Sequence, residues 1–497
     1  MEKPSPRPRD ARAAIDRLRG MVDVDPAVLR ARGDALRRLQ DTFSAHGYAA
    51  VETPVVEPTE LFLRKSGGER VAQMYAFHYH DRDIALRPEH TASVLRLYAD
   101  TLQSAPLPLR LSYAGPVFRY EKPQAGRTRQ FTEVGCELLG AAGPMADAEV
   151  IHLALAGLQA LGVRGRLVLG HIGVVLDFLN RLPLRQRARD WLVWSMERLR
   201  KGQAVDVQAE LAGLVTGDSL STLLTEMGDS LRDVPSDQLR HWVLAVLAEV
   251  GVRTEGGTRT PEEIVSGVIA KMSRPSDADE VSRAFSFVRE LVQLRGAPSE
   301  TLPLLHELTI AHGLDESPLR RIEEVLALLE GYGHPSDQIE LDFGLGRGLH
   351  YYTGILFEIH APGRSGQQLC GGGRYDDLAQ TLGARQPLPA CGFSYGLERL
   401  VEAAALSSSV PPPDVLVVAR DEQAAVAAVR VAEERRARGE SVELDVRGRS
   451  IQASRRYAER RGIARLVVVG EGGAVDEEPL AHGLESDQPP VEVSGDR

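Results

Sequence analysis

Three arginines crowd one short polar turn of the sequence. Residues 117–140, VFRYEKPQAGRTRQFTEVGCELLG, contain two apolar strand-like segments, and Arg119, Arg127 and Arg129 lie in and around the turn between them. Guanidinium groups this close repel one another unless an anion neutralises them, and the planar fork of arginine suits phosphate oxygens. The pattern predicts either a polyphosphate site or a hairpin whose charges lie in water, and the spacing alone favours neither.

Carboxyl groups lie on both sides of this turn in the sequence. Because side chains alternate across a strand, Glu133 and Glu137 share one face of the strand that follows the turn. Earlier, in the segment LRPEHT, Glu89 comes just before a helix that begins near Thr91. Taken alone, Glu89 is better explained as an acid matched to the helix dipole than as a substrate ligand. His90 is expected to be a surface or partly satisfied residue, since no metal-ligand spacing accompanies it.

Three later segments combine glycine with arginine or tyrosine. In RGLHYYTG, one arginine, one histidine and two tyrosines could line a polar pocket: Arg347, His350, Tyr351 and Tyr352. An aromatic cluster at a sheet end is the better explanation. In GGGRYD, at 371–376, the glycines permit either close approach of a ligand or a bulge. In GFSYGLERL, Arg399 lies at the start of a buried helix and must meet an acid or an anion. No dinucleotide-binding or Walker pattern accompanies these segments.

The composition restricts the class of protein. Of the 497 residues, 43% are hydrophobic and 26% are charged, which excludes disorder as the general state. Lysine and arginine number 59 against 70 aspartate and glutamate, and the net charge of −11 argues against a surface that is basic all over, although a local basic channel is compatible with it. The three cysteines match no zinc spacing and predict a reducing compartment. Without an apolar run of about 18 residues, neither a signal peptide nor a membrane span is expected, and the expected location is the cytoplasm.

The pattern of strands and turns predicts an α+β fold. Short strand-like runs joined by tight polar turns favour an antiparallel sheet. A stretch rich in leucine, arginine, alanine and glutamate predicts an all-helical insertion, and LSSSVPPP predicts a stiff linker. The alternating strands and helices after the linker predict a small parallel α/β domain with a frayed acidic end. The expected organisation is a core in two parts (1–176 and 318–405), the insertion (177–317), the linker (406–413) and the terminal domain (414–497).

The order of these motifs resembles that of class II aminoacyl-tRNA synthetases, and specifically of the histidyl-tRNA synthetase family. The first class II motif, a helix and strand that end in proline, is matched by the stretch up to Pro54. The second, F-R-x-E, is matched at 118–121, and the third, G-x-x-x-G-[LIVM]-[DE]-R, at 392–399. The signature R-G-L-x-Y-Y of the histidyl enzymes stands at 347–352. The resemblance implies an antiparallel class II sheet with flanking helices, a homodimer built by the first motif, and an anticodon-binding domain after the linker.

The same resemblance implies an activity and a set of roles. The protein would activate histidine with ATP to histidyl-adenylate and transfer the histidyl group to tRNA(His). Arg347 and Arg119 would be catalytic, since they would stabilise the charge that develops on the α-phosphate, and Mg²⁺ would bridge the outer phosphates. ATP would be held by Arg119, Glu121, Arg127, Arg129 and Arg399. Histidine would be held by Glu89, Thr91, Glu133, Glu137, Tyr351, Tyr352 and Tyr375.

Three departures from the family pattern support a second hypothesis. Glu133 stands where active enzymes of the family carry glutamine, His350 replaces an aspartate, and the terminal domain ends in an acidic tail without its last helix. A second carboxylate at position 133 would attract the ammonium of the substrate but repel its carboxylate. The family includes a catalytically silent paralogue, the histidine-binding regulatory subunit that partners the catalytic subunit of ATP phosphoribosyltransferase. The arginines that this chain keeps favour the ligase, and an amino-acid sensor that binds no tRNA is a third reading.

Overall fold

The computed structural model describes residues 15–64, 73–120, 128–184, 186–203, 205, 277–346, 351–362, 367–407 and 409–480. The chain divides into two compact units, of which the larger contains Ala31–Leu406 and the smaller contains the chain from Ser407 onward together with Pro26–Arg30. None of the helices in the described part combines the length and the apolar character that a membrane span requires.

The larger unit contains eleven of the helices found in the described residues. They are α1 (Pro26–Ala45), α2 (Thr59–Leu63), α3 (Thr91–Leu97), α4 (Pro144–Ala160), α5 (Gly173–Arg181), α6 (Gln186–Arg200), α7 (Asp277–Leu291), α8 (Pro298–Ala311), α9 (Ser317–Gly331), α10 (Leu378–Thr381) and α11 (Leu397–Ala403). The strands of this unit are β1 (Ala49–Ala50), β2 (Val56–Pro58), β3 (Ala76–Tyr79), β4 (Arg82–Leu86), β5 (Leu109–Phe118), β6 (Gln130–Leu139), β7 (Arg166–His171), β8 (Arg295–Gly296), β9 (Ile339–Asp342), β10 (Ile355–His360), β11 (Gln368–Arg374) and β12 (Ala390–Gly396).

Within the described residues, nine strands form one sheet in the order β1-β5-β6-β12-β11-β10-β7-β9-β8, and β2, β4 and β3 form a second. The pairs β1–β5 and β7–β9 are parallel, and the other neighbours in the large sheet are antiparallel. The α+β fold with an antiparallel sheet is therefore confirmed. Strands β5 and β6 pair along their whole length, from Leu109 opposite Leu139 to Phe118 opposite Gln130.

Helix α1 packs on the sheet through the residues that recur at helical spacing. Ala35, Leu39 and Phe43 are buried, and the ring of Phe43 meets Phe393 of β12 edge-on with 6.0 Å between centroids. The helix ends before Gly47, whose φ of +81° an L side chain rarely adopts. The apolar face of one helix thus fixes the position of a central strand.

Helix α4 approaches the sheet closely at a glycine. A Cβ on Gly157 would meet the hydroxyl of Tyr395, which donates to the carbonyl of Ala154 at 2.5 Å. The missing side chain leaves room for the hydroxyl of the buried tyrosine of β12. Because Phe393 and Tyr395 are two residues apart on the strand, both helices contact the same face of β12.

Two elements of the larger unit differ from their prediction. The strand that the first motif predicts up to Pro54 is reduced to β1, because the carbonyls of Thr53 and Pro54 accept from the guanidinium of Arg87 instead of from a neighbouring strand. The helix expected to begin near Thr91 is the short α3, and a π-helical turn, Tyr98–Leu102, follows it. The predicted helical insertion is described only at its two ends, since residues 206–276 lie outside the described part.

The smaller unit has the strands β13 (Val415–Ala419), β14 (Val442–Leu444), β15 (Arg465–Val469) and β16 (Val475–Pro479) and the helices α12 (Ala425–Ala437) and α13 (Ile451–Arg461). Its sheet order is β14-β13-β15-β16. The first three strands are parallel, as predicted, and α12 and α13 cover opposite faces of them. The expectation of a frayed end is wrong for β16, which pairs antiparallel with β15.

Candidate active site

Two carboxyl groups on β6 face a sheet surface that is lined by glycine. Glu133 lies opposite Gly115 of β5 and Gly396 of β12, and Glu137 lies opposite Gly392. A Cβ on Gly392 would collide with the carboxylate of Glu137. Glycine at 392 therefore makes room for the carboxylate of Glu137 on the sheet face.

Glu137 is fully buried and is bonded only to hydroxyl groups. Its Oε1 accepts from Thr91 Oγ1 at 2.8 Å and from the hydroxyl of Tyr113 at 3.2 Å, and its Oε2 accepts from the hydroxyl of Tyr375. Burial raises the pKa of Glu137 well above its usual range, and the hydroxyl donors offset only part of this effect. This end of the site therefore favours a neutral carboxyl group, or a carboxylate that meets a donor or a cation brought by a ligand.

Glu133 is also buried, but its partners include charged groups. Its Oε2 accepts from the main-chain N–H and from the imidazole Nδ1 of His90, both at 2.9 Å. Its Oε1 accepts from Ser394 Oγ at 3.2 Å and from Arg119 Nη2 at 3.4 Å. Burial acts to raise the pKa of Glu133, yet the hydrogen bonds and charge of His90, with the charge of Arg119, lower it to about 2.

Of the two places expected for His90, the structure contradicts the surface and shows a buried residue that is hydrogen-bonded to Glu133. Its residue is 1% exposed, and its ring stacks on Tyr113 with 4.5 Å between centroids. The sequence signal for this burial is the position of His90 between Glu89 and Thr91, because a residue between two pocket residues at a helix start lies close to the pocket. Sequence reasoning gave no weight to that position.

Arg119 lies at the edge of the pocket beside Glu133. Its Nε donates to the carbonyl of Pro88 at 2.9 Å, and its guanidinium lies over the ring of Phe131, 5.0 Å from the centroid. The side chain is 19% exposed, so the guanidinium is neither buried in the core nor loose in solvent. It is held at the rim, where a bound anion can reach it.

Three tyrosines from two segments meet beside Glu89. The ring of Tyr351 lies 4.8 Å from Tyr352 and 5.7 Å from Tyr375, and all three residues are buried. The hydroxyl of Tyr351 donates to Glu89 Oε2 at 3.3 Å. Glu89 is itself 9% exposed. The aromatic cluster that the sequence favours is therefore present, and one of its hydroxyls meets a buried carboxylate.

Two of the predicted phosphate-binding arginines contact main-chain carbonyls. Arg129 Nη1 donates to the carbonyl of Arg19 at 2.9 Å, and its guanidinium lies over the ring of Tyr120, 3.9 Å from the centroid. Arg399 Nη1 donates to the carbonyl of Gln368 at 3.0 Å. Four other residues singled out from the sequence, Glu121, Arg127, Arg347 and His350, lie outside the described residues.

Two buried arginines of the sequence motifs brace the walls of the site. In LRPEHT, Arg87 donates to the carbonyls of Pro116 at 2.9 Å and Thr53 at 2.6 Å, and burial lowers its pKa. In GGGRYD, Arg374 Nε donates to Asp147 at 2.8 Å. These side chains tie strands and loops together, a role that sequence reasoning did not assign to them.

The arrangement suits a ligand with different chemistry at its two ends. The Glu137 end offers a carboxyl group of raised pKa among hydroxyls, and the Arg119 end offers a guanidinium at the rim. Among the described residues, no group of three or more histidine, cysteine, aspartate or glutamate side chains is suited to hold a metal ion. A divalent cation in this pocket would therefore take most of its ligands from a bound polyphosphate.

Comparison with known proteins gives matches over most of the chain. The family model described as Histidyl-tRNA synthetase matches residues 20–232 and 266–400, and the model described as Anticodon binding domain matches 414–477. The histidine–tRNA ligase of Methanocaldococcus jannaschii is 30% identical over 91% of this chain and 91% of its own. That of Pyrococcus furiosus is 32% identical over 92% and 91%. A solved structure from Bacillus halodurans, described as an ATP phosphoribosyltransferase regulatory subunit/histidyl-tRNA synthetase, covers 92% of this chain and 98% of its own, with a TM-score of 0.61 and 23% identity, and shows the same fold.

Proposed function

This chain belongs to the histidyl-tRNA synthetase family, and from that membership we propose how its pocket works: histidine is joined to ATP as histidyl-adenylate, and the histidyl group then passes to tRNA(His). The chain is an aminoacyl-tRNA ligase of class II architecture. Relatives named histidine–tRNA ligase match 91% and 92% of it, at 30% and 32% identity, which supports ligation of histidine to tRNA as its function.

The observation that carries the proposal is the carboxyl group of Glu137 and its ring of hydroxyls. Burial disfavours its charge, so a ligand that brings an N–H donor gains a strong hydrogen bond there. The imidazole of histidine has one nitrogen for Glu137 and a second for the hydroxyls of Tyr352 or Tyr375. A pocket that hydrogen-bonds both nitrogens rejects apolar rings of the same size, because they would leave its buried polar groups unpaired.

The other end of histidine would face the Arg119 side of the pocket. We assign the α-ammonium to Glu89 and Thr91, with Glu133 bordering it. A carboxylate oxygen of histidine then attacks the α-phosphorus of ATP, and the bond to the departing pyrophosphate breaks. Arg119, with Arg347, would stabilise the negative charge that develops on the non-bridging oxygens, because guanidinium groups held in place need no reorganisation during the step.

ATP itself would be held by arginine and one glutamate. The family uses ATP, and the assignment of individual residues is our proposal: Arg119, Glu121, Arg127, Arg129 and Arg399. For Arg129 and Arg399, binding a phosphate requires exchange of, or addition to, the carbonyl contacts described above. Mg²⁺ would be held chiefly by phosphate oxygens, where it neutralises the outer phosphates as they leave.

The smaller unit would carry tRNA recognition. Its match to the anticodon-binding family supports this role, and α13 exposes four arginines that suit a phosphate backbone: Arg455, Arg456, Arg460 and Arg461. We further propose that the enzyme is a homodimer, built as the first class II motif implies, and that it acts in the cytoplasm. Analytical ultracentrifugation at micromolar concentration tests the homodimer, and a monomer would contradict it.

Histidine-dependent exchange between ATP and pyrophosphate tests the catalytic proposal. Purified protein should incorporate labelled pyrophosphate into ATP with histidine and not with phenylalanine or glutamine. A variant Glu149→Gln is a matched control, since Glu149 also binds a tyrosine hydroxyl, that of Tyr48 at 3.0 Å, but lies outside the pocket. It should exchange at the wild-type rate. Exchange that stays at the blank level with histidine would contradict the proposal.

The regulatory role stays the alternative, and its partner would be the catalytic subunit of ATP phosphoribosyltransferase. Gel filtration of the two proteins together discriminates the roles. We expect separate elution together with active exchange. Co-elution of a complex from a protein without exchange activity would favour the regulatory subunit instead.

A further inference from the structure

The carboxylate of Glu133 is supplied with hydrogen-bond donors by the protein itself. A carboxylate offers about four acceptor positions. Here two donors from His90 meet Oε2, and Ser394 and Arg119 meet Oε1. Since these four donors match that capacity, little of it is left for the ammonium of a substrate.

The proton on His90 follows from its partner. Burial acts to raise the pKa of Glu133, but the hydrogen bonds and charge of His90, with the charge of Arg119, lower it to about 2. Glu133 is therefore ionised at neutral pH. An ionised carboxylate only accepts hydrogen bonds, so Nδ1 of His90 is the donor in the 2.9 Å contact. The imidazole therefore brings a fixed N–H to a buried negative charge.

The ring of His90 is also held in one orientation. Its side chain is 2% exposed, and it lies parallel to the ring of Tyr113, with an angle of 11° between the planes. On the far side, a Cβ on Gly115 would come within 3.2 Å of Nε2, and the same Cβ would collide with the guanidinium of Arg87. Glycine at 115 thus admits both side chains, and the stacking on Tyr113 together with the hydrogen bond to Glu133 keeps Nδ1 toward that carboxylate.

We propose that His90 is a positioning residue for histidine activation: it holds and compensates Glu133, and so leaves the guanidinium of Arg119 directed at the α-phosphate of ATP. This inference rests on the ligase activity proposed above. If His90 lost its Nδ1 donor, the buried charge of Glu133 would be compensated mainly by Arg119. The guanidinium would then be drawn toward Glu133 and away from the reacting phosphate. On this view Glu133 acts through Arg119, and selection of the ammonium is left to Glu89 and Thr91.

A set of variants at position 90 separates this role from simple space filling. His90→Phe keeps the stacked ring but removes the donor, and we expect kcat for pyrophosphate exchange to fall about tenfold while KM for histidine changes less than about twofold. His90→Asn places an amide N–H near the position of Nδ1, and should retain at least about a third of the wild-type kcat. His90→Gln, whose amide reaches one bond too far, serves in place of phenylalanine if the latter prevents folding.

A second substitution tests whether the effect passes through Glu133. In the His90→Phe background, Glu133→Gln removes the uncompensated charge, so the double variant should exchange at least about threefold faster than His90→Phe alone. The matched control is His152→Phe. His152 also stacks on a tyrosine, Tyr332 at 4.2 Å, but lies outside the pocket, and its replacement should leave exchange unchanged.

The outcomes divide clearly. Wild-type protein without exchange would remove the proposed activity and this inference together. With active wild type, three results would each overturn the positioning role: His90→Phe as active as the wild type, a loss that falls on KM for histidine with kcat unchanged, or a loss that Glu133→Gln does not relieve. A loss that falls on KM would instead assign Glu133 to the substrate ammonium. A loss that Glu133→Gln does not relieve would assign His90 to packing alone.

Discussion

Glu133 and Glu137 lie four residues apart on one face of β6, both buried, and the protein moves their pKa values in opposite directions. Burial acts to raise both values. At Glu133 the hydrogen bonds and charge of His90, with Arg119, reverse this effect, whereas the donors at Glu137 are neutral hydroxyls. Two identical side chains on one strand are thus given different tasks by their partners.

Because the two carboxyl groups differ in pKa, the two ends of the pocket suit different groups of a ligand. At the Glu133 end, charge is already compensated within the protein, so this end is prepared for the anionic groups that Arg119 would meet. At the Glu137 end, the carboxyl group needs a donor that the protein does not supply in full. We infer that histidine enters with its imidazole toward Glu137 and its carboxylate toward Arg119.

Among these substitutions, removal of Arg119 should lower the rate of pyrophosphate exchange most, because Arg119 would bind the anionic groups of the substrates. Arg119→Ala should lower kcat for histidine-dependent pyrophosphate exchange by about 10³-fold, because the charge that develops on the α-phosphate loses a fixed guanidinium. Arg119→Lys keeps a charge without the planar fork and should recover only part of the rate. Steady-state exchange kinetics measure both, and an Arg119→Ala rate within a factor of five of the wild type would contradict the assignment.

Replacement of Glu137 should impair recognition of the histidine imidazole. Glu137→Gln should weaken histidine binding by about 100-fold, because the buried site loses a charge-assisted hydrogen bond to the imidazole. Isothermal calorimetry with histidine alone checks this, with Glu149→Gln as the control that should bind normally. Wild-type affinity in Glu137→Gln would mean that the imidazole lies elsewhere.

The same two carboxyl groups should affect stability with opposite signs. The pKa of Glu133 falls from its ordinary value of 4.5 to about 2 on folding, so its charge contributes stability above that ordinary value, and the contribution is lost as the pH falls toward 2. The pKa of Glu137 is raised on folding, so the protein loses stability as the pH rises above 4.5. At pH 7 and without ligand, Glu133→Gln should lower the free energy of unfolding by about 1–3 kcal/mol and Glu137→Gln should raise it by a similar amount.

Denaturant titrations at pH 5, 7 and 9 measure these changes. The gain in Glu137→Gln should grow with pH, because only the wild type carries the group that resists ionisation. Equal destabilisation by both substitutions would show that the two sites do not differ as described.

The smallest expected effect concerns the tyrosine cluster. Tyr351→Phe removes a hydroxyl that donates to Glu89 across 3.3 Å, a long hydrogen bond, so KM for histidine should rise only about threefold. Tyr79→Phe, at an exposed tyrosine outside the pocket, should change nothing. A Tyr351→Phe loss on the scale of Glu137→Gln would shift the centre of recognition toward Glu89.

The sequence predicts which groups share a face but not what each group meets. Strand alternation gives the common face of Glu133 and Glu137, and the motif order gives the family and the antiparallel sheet. The pKa of Glu133 is lowered by His90, which comes from 43 residues away along the chain, whereas burial raises the pKa of Glu137, whose partner Tyr375 comes from 238 residues away. Contacts of that range are set by tertiary packing, and no local pattern records them.

Two further contacts that the sequence does not predict have the same physical origin. Spacing groups Arg129 with the phosphate-binding arginines, yet its guanidinium meets the carbonyl of Arg19, 110 residues earlier. The acidic segment of β16 has the composition of a loose tail, but it forms a strand because it pairs with β15. Glu477 also pairs with Arg435 at 2.6 Å and with Arg465 at 3.0 Å. In both cases a charged group finds a distant partner that composition cannot reveal.

The division of labour between the two carboxyl groups is tested most directly by measuring kcat/KM for histidine in pyrophosphate exchange for Glu137→Gln and Glu133→Gln side by side. We predict a loss of about 100-fold for Glu137→Gln, and for Glu133→Gln a loss below about fivefold with KM for histidine unchanged. Equal losses, or a larger loss at position 133 that falls on KM for histidine, would contradict it.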